Sequence, residues 1–307
     1  MRLGRIYQYP KNLLIFAPLF FSGQMLIKSH LEMGEISYRL GPAFFNCFWT
    51  FVAFFLLASG TYIFNGWMDI DFNQLHPARK NRPLVIGTWI NPCSFFLMLL
   101  FFLSGCWIAF LINWNVLFLC ALYVAMVIFY SIIFKHIPIL DILIWSIGFL
   151  LRLWAGSAAT GIALSPFLLE MTFLLALFLG FGKRYSEFTY CKLNDLRVRP
   201  ALVGYSERLF DLILGIILVM LVIRYFTYTV VGFAQQHSGY LSLSSTSVSW
   251  VLSFTNFLMI FGMLRYLQLV YIKKKSADPS YLLLKDPLLF LLFLIWVLSY
   301  FWILYVL

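Results

Sequence analysis

The feature that most limits what this chain can become is the length of its apolar runs. Stretches of about 18 to 25 predominantly apolar residues alternate with short polar segments. A run of that length in hydrocarbon satisfies its backbone polar groups internally only as a helix. An outer-membrane barrel would instead show segments of about ten residues with alternating polarity, and these runs do not alternate. The spans are expected at roughly 12–28, 41–65, 86–112, 114–134, 138–162, 165–185, 207–232, 247–272 and 286–307, the first being the least hydrophobic. With 63% hydrophobic and 11% charged residues, a soluble globular chain is excluded. The expected fold is an all-α polytopic membrane protein, a single transmembrane domain over 1–307 with about nine helices. The first run lacks a small-residue cleavage site and is expected to stay as a span rather than leave as a signal peptide. The five cysteines form no C-x-x-C pair and read as free or buried thiols.

The net charge of +10 reflects topology and does not indicate a nucleic-acid partner. With the N-terminus placed in the cytoplasm, the inner loops receive Arg2, Arg5, Lys11, Arg79, Lys80, Arg82, Lys135, Lys183, Arg184, Lys192, Arg197, Arg199, Arg208, Lys273, Lys274, Lys275 and Lys285. The outer side receives Lys28 and Arg39, countered by Glu32 and Glu35, and a chargeless Ser-rich loop at 238–247. The positive-inside rule is obeyed in this orientation alone. The triple lysine 273–275 reads as a contact with membrane lipid headgroups. The expected location is the cell (inner) membrane, multi-pass.

One polar stretch, Asn65 to Arg82, gathers amide, carboxylate, imidazole and basic groups. If the second span continues into it as a helix, Asn65, Asp69 and Asn73 are four residues apart and share a face. His76 falls near that face, before Pro77 ends or kinks the helix. Oxygen ligands followed by Arg79, Lys80 and Arg82 suit a magnesium ion carrying a phosphorylated ligand, with a solvated loop as the bland alternative. A second segment, Gly182-Lys183-Arg184-Tyr185-Ser186-Glu187 and on to Arg199, places Lys183 and Arg184 four and three residues before Glu187, so the charges can pair. It reads either as a phosphate-binding wall or as interfacial anchors. The two segments occupy comparable places and hint at two helical halves facing one cavity. Arg152 stands near the middle of the fifth span, where arginine costs about 2.5–3.5 kcal/mol. It calls for a wet cavity or a partner, and Asp141, three turns earlier on nearly the same face, is the candidate partner. Arg224 and Arg265 lie nearer span ends, where they can snorkel. No P-loop, H-E-x-x-H, G-x-S-x-G or dinucleotide fingerprint occurs.

These residues resemble the UbiA superfamily of intramembrane prenyltransferases. In that superfamily N-D-x-x-D-x-x-x-D followed by H-P-x-K-x-R-P ends the second helix and binds magnesium diphosphate. Asn65, Asp69, Asn73, His76, Pro77, Arg82 and Pro83 match the frame, Gly66 and Asn73 replace two of its acids, and Arg79 stands near its lysine. The resemblance implies nine helices around a central cavity open to the cytoplasmic side and a Mg2+ held by Asn65, Asp69, Asp71 and Asn73. The second motif departs from the usual D-x-x-x-D: G-K-R-Y-S-E stands there. With the opening Y-P-K-N-L-L-I-F-A-P-L and L-L-R-L-W-A-G-S-A around Arg152, it resembles one branch, the decaprenyl-phosphate phosphoribosyltransferases. That branch implies phosphoribosyl pyrophosphate as donor, a polyprenyl phosphate as acceptor, and a role in cell-envelope biosynthesis. Asp69, Glu187 and Arg152 are then expected at the reaction centre. Lys11, Asn65, His76, Arg79, Lys80, Arg82, Lys135, Lys183, Arg184 and Tyr205 are expected on the substrates. A prenyl transfer to an aromatic or quinone-precursor acceptor, or a lipid or sugar-phosphate transporter, are the alternatives. The sequence is equally compatible with a monomer and a homo-oligomer.

Overall fold

A computed structural model describes residues 6–30, 36–68, 90–193, 200–232, 246–273 and 278–306. The chain forms two compact units, Met1–Leu164 and Ser165–Leu307. Among the described residues, eight helices are long and apolar enough to cross a membrane. Trp107, Trp114, Phe96, Trp250 and Phe257 lie exposed on them, each at least 62% open. Apolar surface on that scale is stable against lipid and not against water. This is an integral membrane protein.

The first unit begins with a 3₁₀ helix, Ile6–Phe16, running into α1, Ala17–Phe21. The expected span at 12–28 is therefore not a regular α-helix. Pro10 lies inside the 3₁₀ segment and Pro18 in the first turn of α1, and neither offers an N–H to an i−4 carbonyl. A 3₁₀ helix rises about 2.0 Å per residue, so these sixteen residues still extend about 30 Å, close to a hydrocarbon thickness. Gly23, with φ +73°, then turns the chain into β1, Leu26–His30, which pairs antiparallel with β2, Ile36–Leu40, with Leu26 opposite Leu40. Apart from this two-stranded hairpin, every element of the described residues is helical, in keeping with the all-α expectation.

Four helices follow: α2 (Pro42–Met68), α3 (Ile90–Ile112), α4 (Trp114–Ile132) and α5 (Leu140–Thr160). Asn113 caps α4, its side chain accepting from Val116 N at 2.8 Å, and Gly161 ends α5 in the left-handed region at φ +74°. The α2 helix packs on α3, α4, α5 and the 3₁₀ segment. Ile15, Leu19, Phe54, Leu57, Val116 and Leu151 form the core between them. Gly156 lets the 3₁₀ backbone press directly on α5, because a Cβ there would overlap the Ile15 carbonyl.

The second unit holds α6 (Pro166–Leu193), the short α7 (Pro200–Val203), α8 (Glu207–Thr227) with a π-helical turn at Tyr228–Gly232, α9 (Thr246–Lys273), α10 (Pro279–Lys285) and α11 (Pro287–Phe301), which ends in a π-helical stretch, Trp302–Val306. Helix α8 packs on α6 and α9, and α9 on α11. Pro200, Pro279 and Pro287 each open a helix, where the missing N–H costs nothing. None of the five cysteines is in a disulfide, as expected.

Candidate active site

In the first unit the site is built around Arg152, which is 5% exposed on α5. Its Nε donates to Asn12 Oδ1 at 2.8 Å, Nη1 to the Gly148 carbonyl at 2.5 Å and Nη2 to Tyr123 Oη at 3.0 Å. The guanidinium also lies 4.7 Å from the Tyr123 ring centroid, 5.8 Å from Phe54 and 5.9 Å from Phe149. Such aromatic faces stabilise a desolvated cation by about 1–2 kcal/mol each. The expected partner Asp141 is not among these contacts. It lies in the first turn of α5, fully buried, where the helix N-terminus favours a carboxylate. Eleven residues along a helix span about 16 Å, too far for one side chain to reach the other.

Three other arginines within long helices contrast with Arg152. Arg184 Nη1 pairs with Glu187 Oε2 at 2.8 Å, Arg265 holds Asp286 with two bonds at 3.2 and 2.8 Å, and Arg224 pairs with Glu170. Arg152 alone among them is held by neutral groups, so its charge is left uncompensated within the described residues. A buried cation without a counter-ion is costly, and this environment suits an incoming anion.

Lys11 sits beside this cluster, half-buried, its Nζ 5.3 Å above the Trp145 ring. Lys135 lies half-buried in the 3₁₀ turn Phe134–His136 that leads to α5. Asn65 stands on the last turn of α2, which runs on past the expected end at 65 to Met68. Its amide oxygen accepts from the Ser131 hydroxyl of α4. That oxygen is a hard donor of the kind magnesium takes, it is fixed in orientation, and it keeps a second lone pair, so Asn65 fits a magnesium site. Asp69, Asp71, Asn73, His76, Arg79, Lys80 and Arg82 lie outside the described residues. Among the described residues no three His, Cys, Asp or Glu converge.

In the second unit, α6 extends well beyond the expected end at 185 and carries Lys183, Arg184 and Glu187 within it. Arg184 and Glu187 are buried and pair with each other, and Lys183 donates to Asp278 Oδ2 at 3.0 Å. Asp278 also caps α10, accepting from Ser280 N. Gly182 allows Tyr266 to rest against α6, since a Cβ there would lie 2.6 Å from its hydroxyl. Tyr266 donates to the Leu179 carbonyl at 3.1 Å. Tyr205 is buried, its ring stacked on Phe210 at 4.7 Å and edge-on to Phe181. The structure thus sets Lys11 next in the chain to Asn12, which bonds Arg152, and places Lys183, Arg184 and Glu187 together on α6. Asn12, Tyr123, Ser131 and Asp278 were missed as members. Only Asn12, in the Y-P-K-N opening, carried any sequence signal.

The sequence profile of the UbiA prenyltransferase family matches residues 36–294, most of the chain. The chain belongs to the UbiA prenyltransferase family. It is a membrane-embedded transferase of that family. A decaprenyl-phosphate phosphoribosyltransferase of Mycolicibacterium smegmatis is 28% identical over 293 residues, covering 94% of this chain and 87% of that protein. The protein of the same description in Corynebacterium glutamicum is 27% identical over 65% of this chain, which there spans little more than half of the relative's length, 57%. A UbiA homolog from Archaeoglobus fulgidus bound to GPP and Mg2+ superposes with a TM-score of 0.66 at 17% identity, covering 100% of this chain and 99% of that one. The apo UbiA homolog from Aeropyrum pernix K1 gives 0.62 at 16% identity, with 96% of each chain covered. At those identities the two structures establish a shared fold.

Proposed function

We propose that this UbiA-family protein transfers a 5-phosphoribosyl group from phosphoribosyl pyrophosphate to a polyprenyl phosphate, releasing pyrophosphate, at the cytoplasmic face of the cell membrane. The observation that carries the reading is the uncompensated, buried charge of Arg152, which calls for an anionic substrate group inside the first unit. The M. smegmatis relative, matched along nearly the whole chain, supplies the substrate class. The basic pair Lys183–Arg184, where the wider family is acidic, favours a donor with a second phosphate over a prenyl diphosphate.

The reaction needs no strong base, because a phosphate monoester is already ionised at neutral pH. An oxygen of the polyprenyl phosphate forms a bond to the ribose anomeric carbon as the bond from that carbon to the pyrophosphate oxygen breaks. Charge develops toward an oxocarbenium on the ribose and toward an anion on the leaving group. Arg79, Lys80 and Arg82 stabilise that anion, with His76 on the same stretch. Asn65, Asp69, Asp71 and Asn73 would hold a Mg2+ ion, which when bound neutralises the diphosphate. Arg152 with Lys11, and Lys183 with Arg184, hold the 5-phosphate and the acceptor phosphate. Glu187 fixes the Arg184 rotamer, and Lys135 and Tyr205 flank the substrates. Residues 1–307 act as one transmembrane domain with the N-terminus in the cytoplasm.

Purified protein incubated with labelled phosphoribosyl pyrophosphate, a polyprenyl phosphate and magnesium should yield a labelled lipid. No labelled lipid, together with product from a prenyl diphosphate and an aromatic acid, would overturn the reading in favour of ordinary prenyl transfer.

A further inference from the structure

Elsewhere in the described residues most buried polar groups bond one another, and Trp67 Nε1 and Thr189 Oγ1 are single unpartnered atoms rather than a group of donors. Tyr225 gathers Thr255, Tyr300 and Trp296, and Thr229 and Asn256 bond each other. The cluster around Arg152 does not balance. A guanidinium has five N–H donors. Nε and one N–H from each Nη are engaged, which leaves one donor on Nη1 and one on Nη2. Asn12, 2% exposed, has given its acceptor to Arg152, and its Nδ2 amide meets no partner. Tyr123, 4% exposed, accepts from Arg152 and donates its own proton to nothing among the described residues. The surplus consists of donors alone.

A cluster serving only to fasten the 3₁₀ segment to α4 and α5 accounts for the three bonds to Arg152. It does not account for the surplus, since an orphaned buried donor costs about 1–3 kcal/mol. Donors gathered beside a cation are what a tetrahedral oxyanion requires. Gly148 packs close against these donors: a Cβ there would lie 3.3 Å from Met126 Cε, 3.5 Å from Arg152 Nη1 and 4.0 Å from Tyr123 Cε2, where it would crowd a ligand held by them. We infer that Asn12 Nδ2 and the Tyr123 hydroxyl, with the unused N–H groups of Arg152, bind one phosphoryl group of a substrate. The donor set itself calls for the oxyanion. Only the choice of molecules that bring it rests on the activity proposed above.

The test uses the full chain in detergent, with binding of phosphoribosyl pyrophosphate, a short-chain polyprenyl phosphate and inorganic pyrophosphate measured by calorimetry beside the thermal midpoint. Asn12→Asp keeps the acceptor for Arg152 Nε but sets a carboxylate against the incoming anion. It should weaken one ligand at least about tenfold with the midpoint unchanged or raised. Tyr123→Phe and Gly148→Ala should weaken the same ligand, and which ligand responds tells whether the lipid or the sugar donor brings the phosphate. If Asn12→Asp does not fold, Tyr123→Phe decides alone. Affinities unmoved in the variants that fold, affinity lost only in step with stability, or a wild type that binds none of the three ligands would each overturn the inference. Ligand binding that Asn12→Asp weakens, without any phosphoribosyl lipid being formed, would leave the oxyanion site standing and remove the proposed activity.

Discussion

Replacing Arg152 with lysine separates charge from geometry. The ammonium keeps the positive charge but has three donors instead of five. Asn12 Oδ1, the Gly148 carbonyl and Tyr123 Oη already take three from the arginine. A lysine that satisfies them has nothing left for substrate, whereas arginine has two N–H groups in reserve. Two charge-assisted hydrogen bonds at about 1.5–3 kcal/mol each amount to about 3–6 kcal/mol, roughly two to four orders of magnitude in kcat/KM. Stability should change little, because charge and local bonds are kept. The measurement is phosphoribosyl transfer to polyprenyl phosphate by Arg152→Lys, read beside its thermal midpoint in detergent. A variant with wild-type kcat/KM would refute the reasoning, as would one that loses activity only to the extent that it unfolds.

Asp69→Asn should abolish turnover and its magnesium dependence, read by titrating the metal against product formation. Lys183→Ala should lower kcat/KM at least about tenfold while moving the thermal midpoint little, because a lysine 31% exposed in its pair with Asp278 contributes at most about 1 kcal/mol to stability. Asp286→Ala removes both the partner of Arg265 and the N-cap of α11, where Asp286 accepts from Leu289 N at 3.0 Å. The cap alone is worth about 0.5–2 kcal/mol, so the midpoint should fall by several degrees.

The apolar runs made most of the fold legible, since length and hydropathy decide what can enter a bilayer. They failed at the first span, where Pro10 and Pro18 shift the chain to a 3₁₀ helix, and at the hairpin that follows, whose ten residues carry too weak a pattern. The span ends were blurred because α2 and α6 continue as helices through their polar residues. Arg152 was legible as a costly residue, but its partners were not. A helical repeat suggests neighbours on the same helix, and Asn12 lies 140 residues away. The pairing of Lys183 went to Asp278 for the same reason: the competing carboxylate is 95 residues on and leaves no periodic trace.

The ion pairs also set an order of assembly. The partners of Arg152 and the carboxylate of Arg224 precede them in the chain, and Glu187 follows Arg184 by three residues on the same helix. Arg265 is different, as is Lys183 with its partner Asp278 95 residues on: Asp286 is synthesised 21 residues after Arg265. During translation α9 is therefore complete before its counter-charge exists, and it is expected to settle in the bilayer together with α11 rather than before it. Insertion of α9 in chains truncated on either side of Asp286 should differ, and equal insertion would show that the pair forms only after both helices are in place.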